Sequence, residues 1–338
     1  MTGPQKVQRI VVTGGTGFVG RSVVRALARR GVRLTLLRRP GPERYRSREG
    51  NRILAEVAAS GGRLVDGDVQ DLGALSEAMA DAQVVVHLVG IIREFPSRGI
   101  TFDRVVTAGT RNVVAAARKA GIRRFVLMSA LGAQPGDLLP YLRTKAEAER
   151  AVLDAAFPET VVFRPSVIYG PGDGFVGMLA RMLRRFPVFP IFGDGAFWLQ
   201  PVPVWVVGEA FAQAAAAPLP REGAALPPRL YEVGGADRIR YDQLLRAVAT
   251  RVRASVRFVH VPMAMARLVA RRGSPALRAA HEPAAGDAGT GQRGRRRPVL
   301  PGFRGAAGAL RRRHSRLRTV NPTRRESHHC QPREVKQR

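Results

Sequence analysis

The chain is short of acid, of cysteine and of uninterrupted apolar sequence. Of 338 residues, 56 are Lys or Arg and only 26 Asp or Glu, a formal charge of +30. The single cysteine, Cys330, excludes an internal disulfide framework and a cysteine-rich zinc site. No run approaches the roughly 18 apolar residues that a spanning helix needs. The longest, AQVVVHLVGII at 82–92, is interrupted by His87 and reads as a strand. Aromatic residues make up 6% and form no ladder beside the arginines, which argues against a dedicated nucleic-acid platform. Non-specific adhesion to polyanions is what the charge alone predicts. The first strand signal begins by Val7 and leaves no room ahead of it for a secretory leader, so a cytoplasmic location is expected.

The charge is unevenly spread. Residues 271–338 hold 18 Lys and Arg against 4 Asp and Glu, and four of the six histidines. Gly, Pro, Arg and Ala alternate there without helical or strand period, as in a basic, low-order tail. The same mixture arises when a GC-rich gene is read out of frame, and that reading stands beside the first. HHC at 328–330 is a poor match to any four-ligand zinc spacing, so no metal is expected.

What the chain has in quantity is apolar sequence in short, regular pieces. KVQRIVVTG, VRLTLL (32–37), GRLVDGD (62–68), QVVVHLVG (83–90), RRFVLMSA (123–130) and TVVFRPSV (160–167) read as strands. Helix-period segments lie at 18–30, 71–80, 102–120 and 141–156. Strands that are apolar on both faces, separated by helices, predict an α/β fold: a Rossmann-type, doubly wound parallel sheet over residues 1–170. From 171 to 270 Gly- and Pro-rich loops mix with helices at 174–185, 205–216 and 240–252, as in a smaller α/β lid. The tail occupies 271–338.

Ligands in such sheets bind beyond the carboxyl ends of the strands. There the first strand runs into TGGTGFVG, with Gly14, Gly17 and Gly20 spaced for a tight turn, a close approach to a pyrophosphate and close helix packing. The helix that follows presents free N–H groups and a partial positive charge to the phosphates. At the end of the second strand, where NAD enzymes place an acid, stand Arg38 and Arg39. Guanidinium groups suit a 2′-phosphate, so NADP(H) is expected in preference to NAD(H), although in a chain this rich in arginine both also suit a solvated loop. Asp68 is placed to accept from an adenine amino group, although DGD is also ordinary turn chemistry.

Ser129 ends the fifth strand, and YLRTK places Tyr141 and Lys145 four apart on one helix face. Such a trio suits hydride transfer: the phenol moves a proton at a carbonyl oxygen, the ammonium lowers its pKa, and the serine hydroxyl orients the substrate.

TGGTGFVG, GDVQD, HLVG, Ser129 with YLRTK, and FRPSVIYGPGDGF resemble the extended and atypical branch of the short-chain dehydrogenase/reductase superfamily over about residues 7–260. LVGIIRE, MSALGA, YLRTKAEAE and FRPSVIYGPGDGFVGMLARMLRRFPVFPIFGDG are similar, more narrowly, to the nucleotide-binding accessory subunits of respiratory complex I and their prokaryotic relatives. The resemblance implies that Gly14, Thr16, Gly17, Phe18, Val19 and Gly20 surround the pyrophosphate and Arg38 or Arg39 the 2′-phosphate. Asp68 and Val69 would take the adenine, Val89 and Gly90 the adenosine side, and Tyr141, Lys145, Pro165 and Ser166 the nicotinamide end. It also implies a cofactor held structurally, a partner among respiratory-complex or quinone-handling proteins, and a place that is cytoplasmic or peripheral at the inner membrane. The alternative is an active NADPH-dependent reductase, epimerase or dehydratase using Ser129, Tyr141 and Lys145. Two departures stand out. The loop at 130–140 is short for a sugar-nucleotide enzyme, and Pro203 and Trp205 in LQPVPVWVVGEAF predict a misshapen lid.

Overall fold

Strand and helix alternate from the first described residue in a computed structural model that describes residues 8–40 and 47–262 and the backbone of 317–320. The order is β1 (Arg9–Thr13), α1 (Phe18–Ala28), β2 (Arg33–Arg38), α2 (Arg48–Ala59), β3 (Arg63–Asp66), α3 (Leu72–Met79) and β4 (Val84–His87). A π-helical stretch, Asp103–Ala108, runs into α4 (Gly109–Lys119), followed by β5 (Arg124–Met128), α5 (Pro140–Asp154), β6 (Glu159–Pro165) and β7 (Ile168–Tyr169). Then come α6 (Val176–Arg185), β8 (Val188–Phe192), β9 (Trp198–Leu199), β10 (Val202–Pro203), α7 (Val204–Ala216) and β11 (Arg229–Val233). β12 (Ile239–Arg240), α8 (Tyr241–Arg251), β13 (Arg257–Val261) and β14 (Leu317–Val320) complete the described elements.

Seven strands lie parallel in the order β11-β6-β5-β4-β1-β2-β3. The order reverses between β1 and β4, which is where such sheets open a crevice. Alternation along β1 explains the two layers. Ile10 and Val12 join α1, α2 and α7 in one core, while Val11 joins α3, α4 and α5 in the other. A third cluster, with Leu179, Leu183, Phe189, Ile191 and Leu245, unites α6, β8, α8 and β13 beside the sheet.

Two expectations need correction, and a third lies mostly outside what the structure describes. The sequence reading contains no helix between β2 and β3, yet α2 is there, capped by Ser47, whose hydroxyl accepts from Gly50 N at 3.0 Å. Its apolar face is only Ile53, Leu54 and Val57, behind a first turn of Arg, Glu and Gly that hides the period. The tail expectation lies mostly outside the described residues, but 317–320 form β14, antiparallel to β11 at the sheet edge. An open strand edge offers a ladder of backbone groups to any extended segment. The lid is regular around Pro203: β10 pairs in parallel with β7, and Pro203, at φ −64, caps α7. That φ is native to the pyrrolidine ring, so proline suits a strand-to-helix junction. Trp205 stands half-exposed, edge-on to Tyr169 at 6.4 Å.

Candidate functional site

The turn after β1 and the turn after β4 touch. Gly14 has φ +78, a left-handed backbone that favours glycine, and a Cβ there would lie 3.1 Å from Leu88 C and Val89 N. At Gly20 a Cβ would collide with the Gly14 carbonyl oxygen, so α1 is drawn tightly against the turn. Gly17 N donates to Gly14 O at 3.0 Å, and the exposed Gly17 leads α1 with no side-chain cap. The mouth of α1, with Thr16, Phe18 and Val19, therefore offers backbone N–H groups and the positive helix end to the crevice. This Cβ-free cradle fits the pyrophosphate of a dinucleotide.

Arg38, at the end of β2, is held by Asp66 of β3 in a fork, Nε–Oδ1 at 2.6 Å and Nη2–Oδ2 at 2.9 Å. Arg39 beside it is exposed. Asp68 Oδ1 accepts from Gln70 N at 2.7 Å, in a turn that begins at Asp68. Val69 is buried, its carbonyl accepting from Asn112 Nδ2 at 2.9 Å.

α5 brings Tyr141 and Lys145 to the ends of β4 and β5. Lys145 is buried, and its ammonium donates to Met128 O at 3.0 Å. A Cβ on Gly90 would stand 2.9 Å from Lys145 Nζ, so the missing side chain leaves the ammonium its slot. Burial pushes Lys145 down to about 8, against the opposing pull of the Glu149 carboxylate. Glu149 is buried one turn along α5 and forked by Arg164, with Nε–Oε1 at 2.8 Å. Tyr141 packs edge-on to Phe102 at 5.8 Å, and burial pushes its phenol up to about 12. The expected lowering of the phenol by its lysine is thus reversed: desolvation dominates, and the ammonium is engaged by a backbone carbonyl. Ser129 is buried, its Oγ without a hydrogen-bond partner among the described residues. An orphaned hydroxyl at a strand end suits a ligand oxygen.

Pro165 O accepts from Leu131 N at 3.0 Å, and Ser166 N donates to Val233 O at 2.8 Å, tying both to the carboxyl edge of the sheet. The structure so gathers the residues named from sequence along one edge. It adds three that sequence reading missed. Asp66 restrains Arg38, and Glu149 ties α5 to β6 through Arg164. His87, read only as an interruption, lies between Thr13 Oγ1 at 2.6 Å and Thr110 Oγ1 at 3.0 Å. Burial, then the Lys145 charge, pushes it down to about 3, so it stays neutral. The only hint in the sequence was a polar residue inside an apolar strand.

Residues 10–210 match the sequence profile of the NAD dependent epimerase/dehydratase family. The chain is 31% identical over 271 residues to NADH dehydrogenase (ubiquinone) 1 alpha subcomplex subunit 9, mitochondrial, of Arabidopsis thaliana, covering 79% of this chain and 64% of that protein. It is 38% identical over 185 residues to the ceramide reductase of Caulobacter vibrioides (strain NA1000 / CB15N), covering 55% and 54% respectively. The chain thus spans between half and two thirds of these relatives' length. Among solved structures, MoeE5 in complex with UDP-glucuronic acid and NAD has a similar fold, with a TM-score of 0.59 at 23% identity over 75% of this chain and 85% of that one.

Proposed function

Because the chain belongs to the NAD dependent epimerase/dehydratase family, we propose that it holds a nicotinamide dinucleotide at the β1/β4 switch point and prefers NADP(H) to NAD(H). Its chief role is then that of a cofactor-stabilised structural or assembly component, with a respiratory-complex or quinone-handling protein as partner. The observation that carries the reading is the uncapped mouth of α1 beside the Cβ-free Gly14. Gly14, Thr16, Gly17, Phe18, Val19 and Gly20 would hold the pyrophosphate, and Arg38 and Arg39 the 2′-phosphate. Asp68, Val69, Val89 and Gly90 would line the adenosine side, and Lys145, Pro165 and Ser166 the nicotinamide end. When bound, the group supplies hydride chemistry.

Support for a structural role comes from the proton-transfer apparatus. Burial pushes the Tyr141 phenol up to about 12 and keeps it protonated, and its lysine donates to Met128 O; neither group is arranged as a ready base. The relative from Arabidopsis, similar over 79% of this chain, is named as a subunit of a mitochondrial NADH dehydrogenase (ubiquinone). The orphaned Ser129 Oγ favours a second reading, an active NADPH-dependent oxidoreductase, epimerase or dehydratase. There Ser129 would orient a substrate oxygen, Tyr141 would move its proton, and Lys145 would hold the ribose.

One measurement tests the cofactor preference that both readings share, and a second separates the readings. Arg38→Ala with Arg39→Ala is expected to weaken NADPH far more than NADH in calorimetric titration; equal losses would remove the preference. Incubation with carbonyl, quinone and sugar-nucleotide panels is expected to leave NADPH unoxidised while the cofactor co-purifies in stoichiometric amount. Turnover that Tyr141→Phe abolishes, with affinity kept, would establish the enzyme instead.

A further inference from the structure

Two loops at the carboxyl edge of the sheet carry apolar side chains that the described residues leave largely or partly exposed. Ile92 is 72% exposed and Phe95 41% in the segment after β4, and Leu138 is 97% exposed just before α5. The first segment leads to Phe102, which packs on Tyr141, and the second leads directly into Tyr141's helix. The two segments leave the carboxyl ends of the neighbouring parallel strands β4 and β5.

Their charges are sorted. Arg93 and Arg98 lie over the Phe95 ring at 5.3 and 5.9 Å. The acids of the two loops serve the backbone instead: Glu94 Oε1 accepts from Phe102 N at 2.6 Å, and Asp137 Oδ1 from Leu139 N at 2.8 Å. The rim presents aliphatic and aromatic groups fringed by guanidinium, with its carboxylates tied to backbone amides. An exposed ring with arginines over it, beside bare aliphatics, is the arrangement that settles at a bilayer interface. Apolar groups enter the acyl boundary while the cations stay at the headgroups.

We propose that this rim, Ile92, Phe95 and Leu138 with Arg93 and Arg98, docks the mouth of the crevice on an anionic phospholipid surface. None of these five residues is among those assigned to the dinucleotide. The arginines supply attraction to anionic headgroups, and the aliphatics supply insertion.

The test is flotation of the full chain with phosphatidylcholine vesicles and with equimolar phosphatidylcholine–phosphatidylglycerol vesicles. Binding is expected to the second alone. Ile92→Ser with Leu138→Ser is expected to lower partitioning by about tenfold or more. Arg93→Gln with Arg98→Gln is expected to lower it by about tenfold and to flatten its salt dependence. An unchanged urea midpoint shows that these exposed substitutions leave the fold intact. Because the arginines of 271–338 also attract anionic vesicles, a positional readout is needed. In a Trp198→Phe, Trp205→Phe background, Leu138→Trp is expected to be quenched by brominated acyl chains. A chain that floats with an unquenched Trp, serine variants that bind as the parent does, or no flotation at all would each overturn the proposal.

Discussion

Lys145 carries the clearest conflict between stability and use. Its ammonium is buried and its pKa lies at about 8, below the ordinary lysine value of 10.5. The unfolded chain therefore binds more protons between those values, and stability rises as pH climbs from about 8 toward 10.5. Lys145→Met is accordingly expected to raise stability at pH 7 by about 1–3 kcal/mol in urea unfolding while weakening dinucleotide binding. His87 acts at the other end of the scale. Its folded pKa of about 3 lies below the ordinary 6.5, so its contribution is present above 6.5 and is lost as pH falls toward 3. Urea midpoints of the parent are expected to fall more steeply than those of His87→Gln over that window. Gly20→Ala places a methyl on the Gly14 carbonyl, and the turn or α1 must shift. The expected result is a loss of about 1–3 kcal/mol in unfolding and a sharp drop in NADPH affinity by titration.

Elements are held in register at the edge opposite the crevice. Arg124 and Glu159, the first residues of β5 and β6, form a buried pair with Nε–Oε2 at 2.6 Å. The same guanidinium donates to the carbonyls of Ala215, Ala217 and Pro218, and Arg229 of β11 also pairs with Glu159. One group thus ties three parallel strands to the end of α7. Glu159→Gln leaves Arg124 buried without a counter-charge, and a loss of about 3–5 kcal/mol is expected from denaturant melts. NADPH affinity should hold, since the pair lies at the far end of the strands. Most elements were legible beforehand: the helix periods at 18–30 and 141–156 end within two residues of α1 and α5. α2 was not, because a stripe of Ile53, Leu54 and Val57 behind a polar first turn gives too few apolar positions to show a period.

At the scale of the whole molecule, two linkages follow from bulk quantities. A ligand that binds only the folded chain stabilises it by about 2.7 kcal/mol at a hundred times its Kd. A saturating nicotinamide dinucleotide is therefore expected to raise Tm by several degrees, and Gly20→Ala to blunt the shift. The charge of +30 predicts retention on polyanionic resins at low ionic strength and release as salt shortens the Debye length.

Local pattern alone determined the α/β class, the glycine turn and the placement of Ser129, Tyr141 and Lys145. Strand and helix periods, and the demand of a tight turn for glycine, act over a few neighbouring residues. Tertiary contact decided how those groups are charged and held. Asp66 reaches Arg38 across 28 residues, Thr13 reaches His87 across 74, and Met128 O takes the ammonium of Lys145 across 17. Burial then set the phenol up and the lysine down, because desolvation depends on everything that surrounds a group and not on its neighbours along the chain.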